Sequence, residues 1–165
     1  IEISFGNWLY FLNCNDLFLE NNILSKVFKY FDKKNKAVYG NVLLKNKSKV
    51  YDGKFNRLKL IFINNICHQA LFFNHSIFFN DRYEINCKIL ADYLLNIKYF
   101  TLKNYKYMPL TIAIYEDVEG KSKELTDVEF SFLKEEELKN NMFEYFFYII
   151  FKYLRRYLYK LKILK

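Results

Sequence analysis

The chain has 165 residues, enough for one domain with a sizeable buried core. Its hydrophobic fraction is 52%, yet no uncharged apolar run approaches the roughly 18 residues of a membrane span, so we expect a soluble globular protein. The net charge is +8, of which residues 142–165 carry +5, so the main body is not strongly basic. We therefore expect no nucleic acid partner, although a basic, aromatic nucleic-acid-binding module remains an alternative.

The first predicted element is a buried strand over residues 7–12 that ends abruptly in polar residues. The stretch GNWLYFLNCNDLF passes from an apolar run to Asn13, Asn15 and Asp16 and then returns to apolar residues. A turn would explain this break, with Asp16 and Glu20 at the start of a following helix. A ligand site would explain it too, because ligands gather beyond the carboxyl ends of strands in α/β sheets.

Helices and strands alternate along the rest of the chain. The spacing of apolar residues predicts a helix over about 20–32, a strand over 37–44, a turn through KNKSKVYDGK, a short apolar strand-like segment over 65–73, a helix over 87–100, a strand over 107–115 and helices from Asp127 onward. This alternation predicts an α/β fold with a largely parallel sheet.

Two apolar segments are interrupted by polar residues that could carry chemistry. Asp92, in ILADYLLNIKYF, is costly on an apolar helix face unless it is paired or functional. It would serve as a general base for an incoming hydroxyl, or it is solvent-facing or salt-bridged. His68 and Gln69, in NNICHQALFF, either contact a ligand or satisfy buried backbone groups.

Four segments, taken together and in order, resemble one family. They are GNWLYFLNCNDLF, VYGNVLL, NNICHQALFF and YEINCKILADYLLNIKYF. Their combination resembles the bacterial family-two glycosyltransferases of the GT-A fold, which build capsule, exopolysaccharide and lipopolysaccharide sugars. The later YEDVEGKS is similar to that family's Gly-x-Ser segment. The resemblance covers residues 1 to about 125 and implies a partial GT-A, Rossmann-like mixed sheet flanked by helices, followed by an amphipathic C-terminal helix.

The resemblance also implies a role for each candidate residue. By position in the motifs, the metal ligand is Asp16, the donor-binding residues are Asn13, Asn15 and Asn41, the catalytic base is Asp92, and the acceptor-binding pair is His68 and Gln69. Oxygen ligands of this kind suit Mg²⁺ or Mn²⁺, which proteins often hold jointly with substrate phosphates.

The implied reaction is an inverting sugar transfer from a nucleotide-sugar to a saccharide or lipid-linked acceptor, in cell-surface polysaccharide synthesis. Asp92 would deprotonate an acceptor hydroxyl, which then attacks the anomeric carbon of the donor. The cation at Asp16 would neutralise charge on the departing nucleoside diphosphate.

The resemblance divides the chain into a glycosyltransferase part, 1–125, and a helical region, 126–165. The family's nucleotide-binding half precedes the matched segments, and the sequence begins at Ile1, so we expect a piece of a longer chain or a truncated, degenerate domain kept for membrane or partner binding. Residues 142–165 interleave aromatic and basic side chains, which suits a membrane interface, or else a helix packed on its own domain. Three widely spaced cysteines without a pairing pattern indicate a cytoplasmic protein, peripheral on the membrane if the tail docks there.

Overall fold

A mixed β-sheet flanked by helices forms the body of the chain. The structure is a computed structural model that describes residues 1–51, 53–87, 89–115 and 128–160. Its strands are β1 (Trp8–Tyr10), β2 (Leu17–Phe18), β3 (Ala37–Leu44), β4 (Lys49–Tyr51), β5 (Leu71–Asn74) and β6 (Tyr105–Tyr115). They lie in the order β1-β5-β3-β6-β2, with β4 paired to the free end of β3.

Five α-helices and two short 3₁₀ helices connect and cover these strands in the described ranges. The α-helices are α1 (Ile23–Phe28), α2 (Arg57–Phe62), α3 (Ala91–Tyr99), α4 (Val128–Lys139) and α5 (Met142–Lys160). The 3₁₀ helices, His68–Ala70 and His75–Phe79, stand directly before and after β5. In the described part of the chain, no helix combines the length and the apolar character needed to cross a membrane.

The central strand, β3, is buried because both faces of the sheet are covered. On one face Val38 and Val42 join a cluster with α1. On the other face Ala37 and Tyr39 join a larger cluster that includes residues of α2, α3 and α4. The helical region after residue 126 therefore packs into the same core as the sheet, through Phe130 and Leu138.

The sequence analysis predicted the architecture better than the strand directions. The mixed sheet, its flanking helices and the C-terminal helix are confirmed. The expectation of a largely parallel sheet is wrong, because β3–β6 is the one parallel pair among the described strands. Instead, β1 and β3 both pair antiparallel with β5, β4 pairs antiparallel with β3, and β2 pairs antiparallel with β6.

Several predicted boundaries also differ from the structure. The helix expected over 20–32 is only α1, and Asp16 does not cap it but leads into β2. The helix expected over 87–100 begins at Ala91, and KNKSKVYDGK contains β4 as well as a turn. The Gly-x-Ser similarity in YEDVEGKS falls almost entirely on residues 116–122, which lie outside the described residues.

Candidate active site

The pairing of β1 with β5 places two of the predicted polar segments side by side. The strands run antiparallel with Tyr10 opposite Phe72, so the residues that follow β1 lie beside those that precede β5. The Tyr10 hydroxyl donates to the backbone carbonyl of Gln69 over 2.8 Å. The Phe11 ring stacks on the imidazole of His68, with centroids 5.7 Å apart.

Asp16 follows β1 in a tight turn, at the end of the sheet where the chain passes from β1 to β2. Asn15 adopts a left-handed backbone conformation with φ of 72°, and the N–H of Asp16 donates to the carbonyl of Asn13 over 3.3 Å. The turn buries Asp16, which is 7% exposed, while Asn13 and Asn15 remain exposed. The Oδ2 atom of Asp16 is buried without a hydrogen-bond partner among the described residues. A buried carboxylate oxygen without a hydrogen-bond partner is costly to the stability of the fold unless a ligand or a cation binds to it.

Asp92 lies in the first turn of α3 and is held by an amide network. Its Oδ2 accepts from the side chain of Asn65 over 2.7 Å, and Asn65 Oδ1 accepts from Asn96 over 2.9 Å. Asn96 Oδ1 in turn accepts from the Tyr105 hydroxyl over 3.2 Å. Burial raises the pKa of Asp92, and the neighbouring His68, backbone N–H groups and Asn65 partly oppose that rise. A carboxylate with a raised pKa is a stronger base than one in water.

Tyr83 lies in the surroundings of Asp92 and is held there by aromatic contacts. The Tyr83 ring contacts Phe11 edge-on at 5.6 Å and Phe78 at 5.7 Å. Burial raises the pKa of the Tyr83 phenol, and Asp92 raises it further, so the two groups share one environment. The Tyr83 hydroxyl and His68 Nδ1 are both buried without a hydrogen-bond partner among the described residues.

The Cys67 thiol is influenced by the charges of both Asp16 and Asp92. Burial raises the pKa of its thiol to about 12, and Asp92 and Asp16 both add to that rise. The thiol donates to Oε1 of Gln69 over 3.1 Å. It therefore stays protonated at neutral pH and is a hydrogen-bonding wall of the site rather than a nucleophile.

Six of the seven predicted residues thus come from segments that meet at one site, and one lies apart. Asn41, on β3, uses its Oδ1 to accept from the N–H of Gly53 over 2.8 Å and from the Tyr107 hydroxyl over 3.2 Å. Those contacts fix the backbone after β4 and give Asn41 a structural role. Its assignment to donor binding stays a prediction without a described contact to the other six.

The donor set can be tested against a divalent cation. In the described residues, no three or more His, Cys, Asp or Glu side chains are grouped so as to hold a metal ion. One buried, unpartnered carboxylate beside two exposed amides still fits Mg²⁺, which keeps several waters and is often bound by one or two carboxylates plus substrate phosphates. The residues therefore suit a cation that arrives with a diphosphate, not a closed structural metal site.

Sequence reasoning missed five residues of this site: Tyr10, Phe11, Asn65, Cys67 and Tyr83. Asn65 and Cys67 shortly precede the His68–Gln69 pair, and the polar doublet Asn64–Asn65 in an apolar segment was a usable signal. Tyr83 carries no local signal, because its relation to Asp92 arises only when the loop before α3 folds over Phe11.

Comparison with known proteins finds a partial similarity to mycobacterial glycosyltransferases. Over 135 residues, 79% of the chain, the sequence is 30% identical to a PGL/p-HBAD biosynthesis glycosyltransferase of Mycobacterium bovis (strain BCG / Pasteur 1173P2). The same values hold for the protein of that description in Mycobacterium tuberculosis (strain ATCC 25177 / H37Ra). The chain covers 53% of these relatives and so spans about half of their length.

No protein-family model matches the chain, and no solved structure matches it. The partial similarity to the mycobacterial enzymes supports a glycosyltransferase-like role.

Proposed function

We propose that this chain forms the catalytic and acceptor-binding part of an inverting glycosyltransferase that uses a nucleotide-sugar donor. One observation carries the proposal. In a chain similar to glycosyltransferases, two carboxylates from distant segments meet at one site, where Asp16 keeps a buried oxygen unpartnered and Asp92 has a raised pKa.

Asp92 acts as the general base. It takes the proton from an acceptor hydroxyl as that oxygen attacks the anomeric carbon and the bond to the nucleoside diphosphate breaks. Asn65 holds the carboxylate in place through its amide, and the network to Asn96 and Tyr105 fixes Asn65. The attack from the face opposite the leaving group inverts the anomeric centre.

Asp16 would be the protein ligand for Mg²⁺ or Mn²⁺, with Asn13 and Asn15 beside it at the exposed rim. A cation held there would supply charge neutralisation for the departing diphosphate. The Oδ2 atom of Asp16, unpartnered among the described residues, supports this assignment, because a cation would satisfy it.

His68 and Tyr83 bind the acceptor. Each presents a buried polar atom that lacks a partner among the described residues, and sugar hydroxyls both donate and accept hydrogen bonds. Phe11 contacts both rings and provides the apolar wall on which a sugar ring can pack. The acceptor is a saccharide or a lipid-linked saccharide.

A donor screen tests the proposal. The full-length protein is incubated with UDP-, GDP- and dTDP-sugars and Mn²⁺, and release of nucleoside diphosphate is measured. We expect release from at least one donor, and Asp16→Asn should lower it by about 10²-fold or more. The matched control is Asp32→Asn, an exposed carboxylate that pairs with Lys34 at 3.1 Å. Equal rates for Asp16→Asn and Asp32→Asn would contradict the role of Asp16.

A further inference from the structure

Helix α5 presents a row of large apolar side chains to solvent. The row, called here the apolar stripe, consists of Phe143, Phe146, Phe147, Ile150, Leu154 and Tyr157. Their spacing of three, four and seven residues places them on one face of the helix. Each member is at least 45% exposed, and Phe143 is 72% exposed. A contiguous exposed patch of this kind marks an interaction surface.

The opposite side of α5 is fixed to the rest of the chain, so the apolar stripe is held outward. Arg57 of α2 forms an ion pair with Glu144 over 2.8 Å. Lys152 forms an ion pair with Glu135 of α4, and the Phe151 ring contacts Phe62 at 5.1 Å. The face that carries the stripe is therefore displayed by packing and not by fraying of the helix.

The charge of α5 indicates what the stripe contacts. The second half of the helix carries Arg155, Arg156 and Lys160 besides Lys152, which is paired with Glu135, whereas the one acidic residue of α5, Glu144, is paired with Arg57. A second copy of the same basic helix would be repelled by this charge. An anionic lipid surface would be attracted, and Phe, Tyr, Lys and Arg are the residues that amphipathic helices use at the membrane interface.

We propose that the apolar stripe docks on the surface of an anionic membrane, with α5 lying in the plane of the interface. The 19 residues of α5 span about 28 Å along the surface. The rings and aliphatic side chains enter the acyl boundary, and Arg156 and Lys160, both exposed, meet lipid phosphates. This surface is separate from the Asp16–Asp92 site, so membrane docking stands or falls independently of sugar transfer.

Vesicle flotation tests the apolar stripe. The full-length protein is mixed with phosphatidylcholine vesicles with or without phosphatidylglycerol, and the bound fraction is measured at several lipid concentrations. Phe143→Ser with Phe147→Ser should weaken binding to anionic vesicles at least about tenfold. The matched control is Phe28→Ser with Phe79→Ser, which removes two Phe rings, each 72% exposed, from elsewhere on the surface. The control should bind within about twofold of the wild type.

Substitution of the basic residues of α5 provides a second test of membrane docking. Arg156→Gln with Lys160→Gln should weaken binding to anionic vesicles about 25-fold and leave binding to neutral vesicles unchanged. Equal loss on both kinds of vesicle would contradict the charge argument.

A fluorescence measurement keeps the proposal falsifiable if the Ser variants misfold. Phe147→Trp adds one indole to the apolar stripe. The chain's own tryptophan, Trp8 of β1, lies elsewhere and stacks on Phe31. On anionic vesicles the emission of the variant should shift to the blue, while the wild type shows no shift. Absence of vesicle binding by the wild type, or a dimer that the stripe variant converts to monomer without any vesicle binding, would overturn the proposal.

Discussion

At the scale of single residues, the candidate site is marked by polar atoms that lack partners within the described residues. Oδ2 of Asp16, Nδ1 of His68 and the hydroxyl of Tyr83 are all buried in this state. An unsatisfied buried polar group costs about 1–3 kcal/mol, so three near one another are a substantial cost to folding. A ligand that satisfies them would recover this free energy, which is how a preformed binding site is built.

Tyr83→Phe separates binding from stability. Removal of the buried hydroxyl should raise the free energy of unfolding by about 1 kcal/mol, since the hydroxyl has no described partner to lose. In sugar transfer, the same change should raise KM for the acceptor about five- to tenfold and leave kcat nearly unchanged, because an acceptor hydrogen bond is lost. Urea unfolding and steady-state kinetics measure the two effects. A less stable variant with unchanged KM would mean that the hydroxyl is structural.

Lys134 is a buried lysine without a carboxylate partner in the contacts that the structure gives it. Its ammonium donates to the carbonyl of Ile61 over 2.6 Å and lies over the rings of Tyr93 and Tyr148 at 5.0 and 5.3 Å. Burial, together with the charge of Arg57, lowers the pKa of Lys134 to about 8. Between that value and the ordinary lysine pKa, the unfolded chain binds more protons than the folded chain, so this residue makes stability rise with pH.

The Lys134 contribution can be isolated by a difference measurement. Between pH 7.5 and 9.5 the free energy of unfolding of the wild type should gain about 2 kcal/mol relative to Lys134→Met. The difference between the two proteins cancels cysteine and tyrosine titrations that both share. Parallel pH profiles would show that the lysine stays charged in the fold.

At the scale of elements, the β3–β6 pair depends on a glycine. A Cβ at Gly40 would lie 2.5 Å from the carbonyl oxygen of Leu110 and 2.8 Å from Cγ1 of Ile112. The register of the two strands shifts between Tyr39 and Asn41, so the close approach occurs at a bulge in the central pair of the sheet.

Gly40→Ala should therefore destabilise the fold by about 1–3 kcal/mol or more, because backbone on both strands must move. Gly6→Ala is the matched control, since a Cβ there would meet only the carbonyl oxygen of Trp8 at 3.3 Å. Chemical denaturation compares the two variants. Equal stabilities would show that the sheet relaxes around the added methyl group.

The elements also show what the sequence could and could not predict. The strand over 37–44 was predicted to the residue, because a run buried on both faces of a sheet is mostly apolar. The helix over 20–32 was predicted too long for a physical reason. Phe31 keeps the apolar spacing of a helix but lies after its end, where its ring stacks on Trp8 at 4.3 Å. The spacing of apolar residues in the sequence indicates which residues are buried. It does not show whether a buried ring belongs to a helix or to the loop that follows it.

At the scale of the whole molecule, the candidate site is assembled from segments far apart in the chain. Asp16 arrives with the turn after β1, His68 with the 3₁₀ helix before β5, and Asp92 with the start of α3. The motif resemblance assigned a role to each of these residues, and those roles stay predictions. The roles of Asn65 and Tyr83 could not be predicted without the fold. Asn65 donates to Asp92 across 27 residues of sequence. Tyr83 comes near Asp92 only when the loop before α3 closes.

The raised pKa of Asp92 affects both the stability of the fold and the proposed role of Asp92 as a base. Because burial raises this pKa, the folded chain binds more protons than the unfolded chain between the ordinary and the raised value. The contribution of Asp92 to stability therefore falls as pH rises through that window. Asn at this position can still accept from Asn65 without carrying charge.

The rate of sugar transfer by Asp92→Asn in the full-length protein tests most directly whether Asp92 is the general base. We predict a fall in kcat of about 10²–10⁴-fold, because the base that accepts the hydroxyl proton is gone. A free energy of unfolding at pH 7 equal to or above that of the wild type should accompany this loss. Transfer within tenfold of the wild type by a folded Asp92→Asn variant would contradict the assignment of the base and, with it, the proposed mechanism.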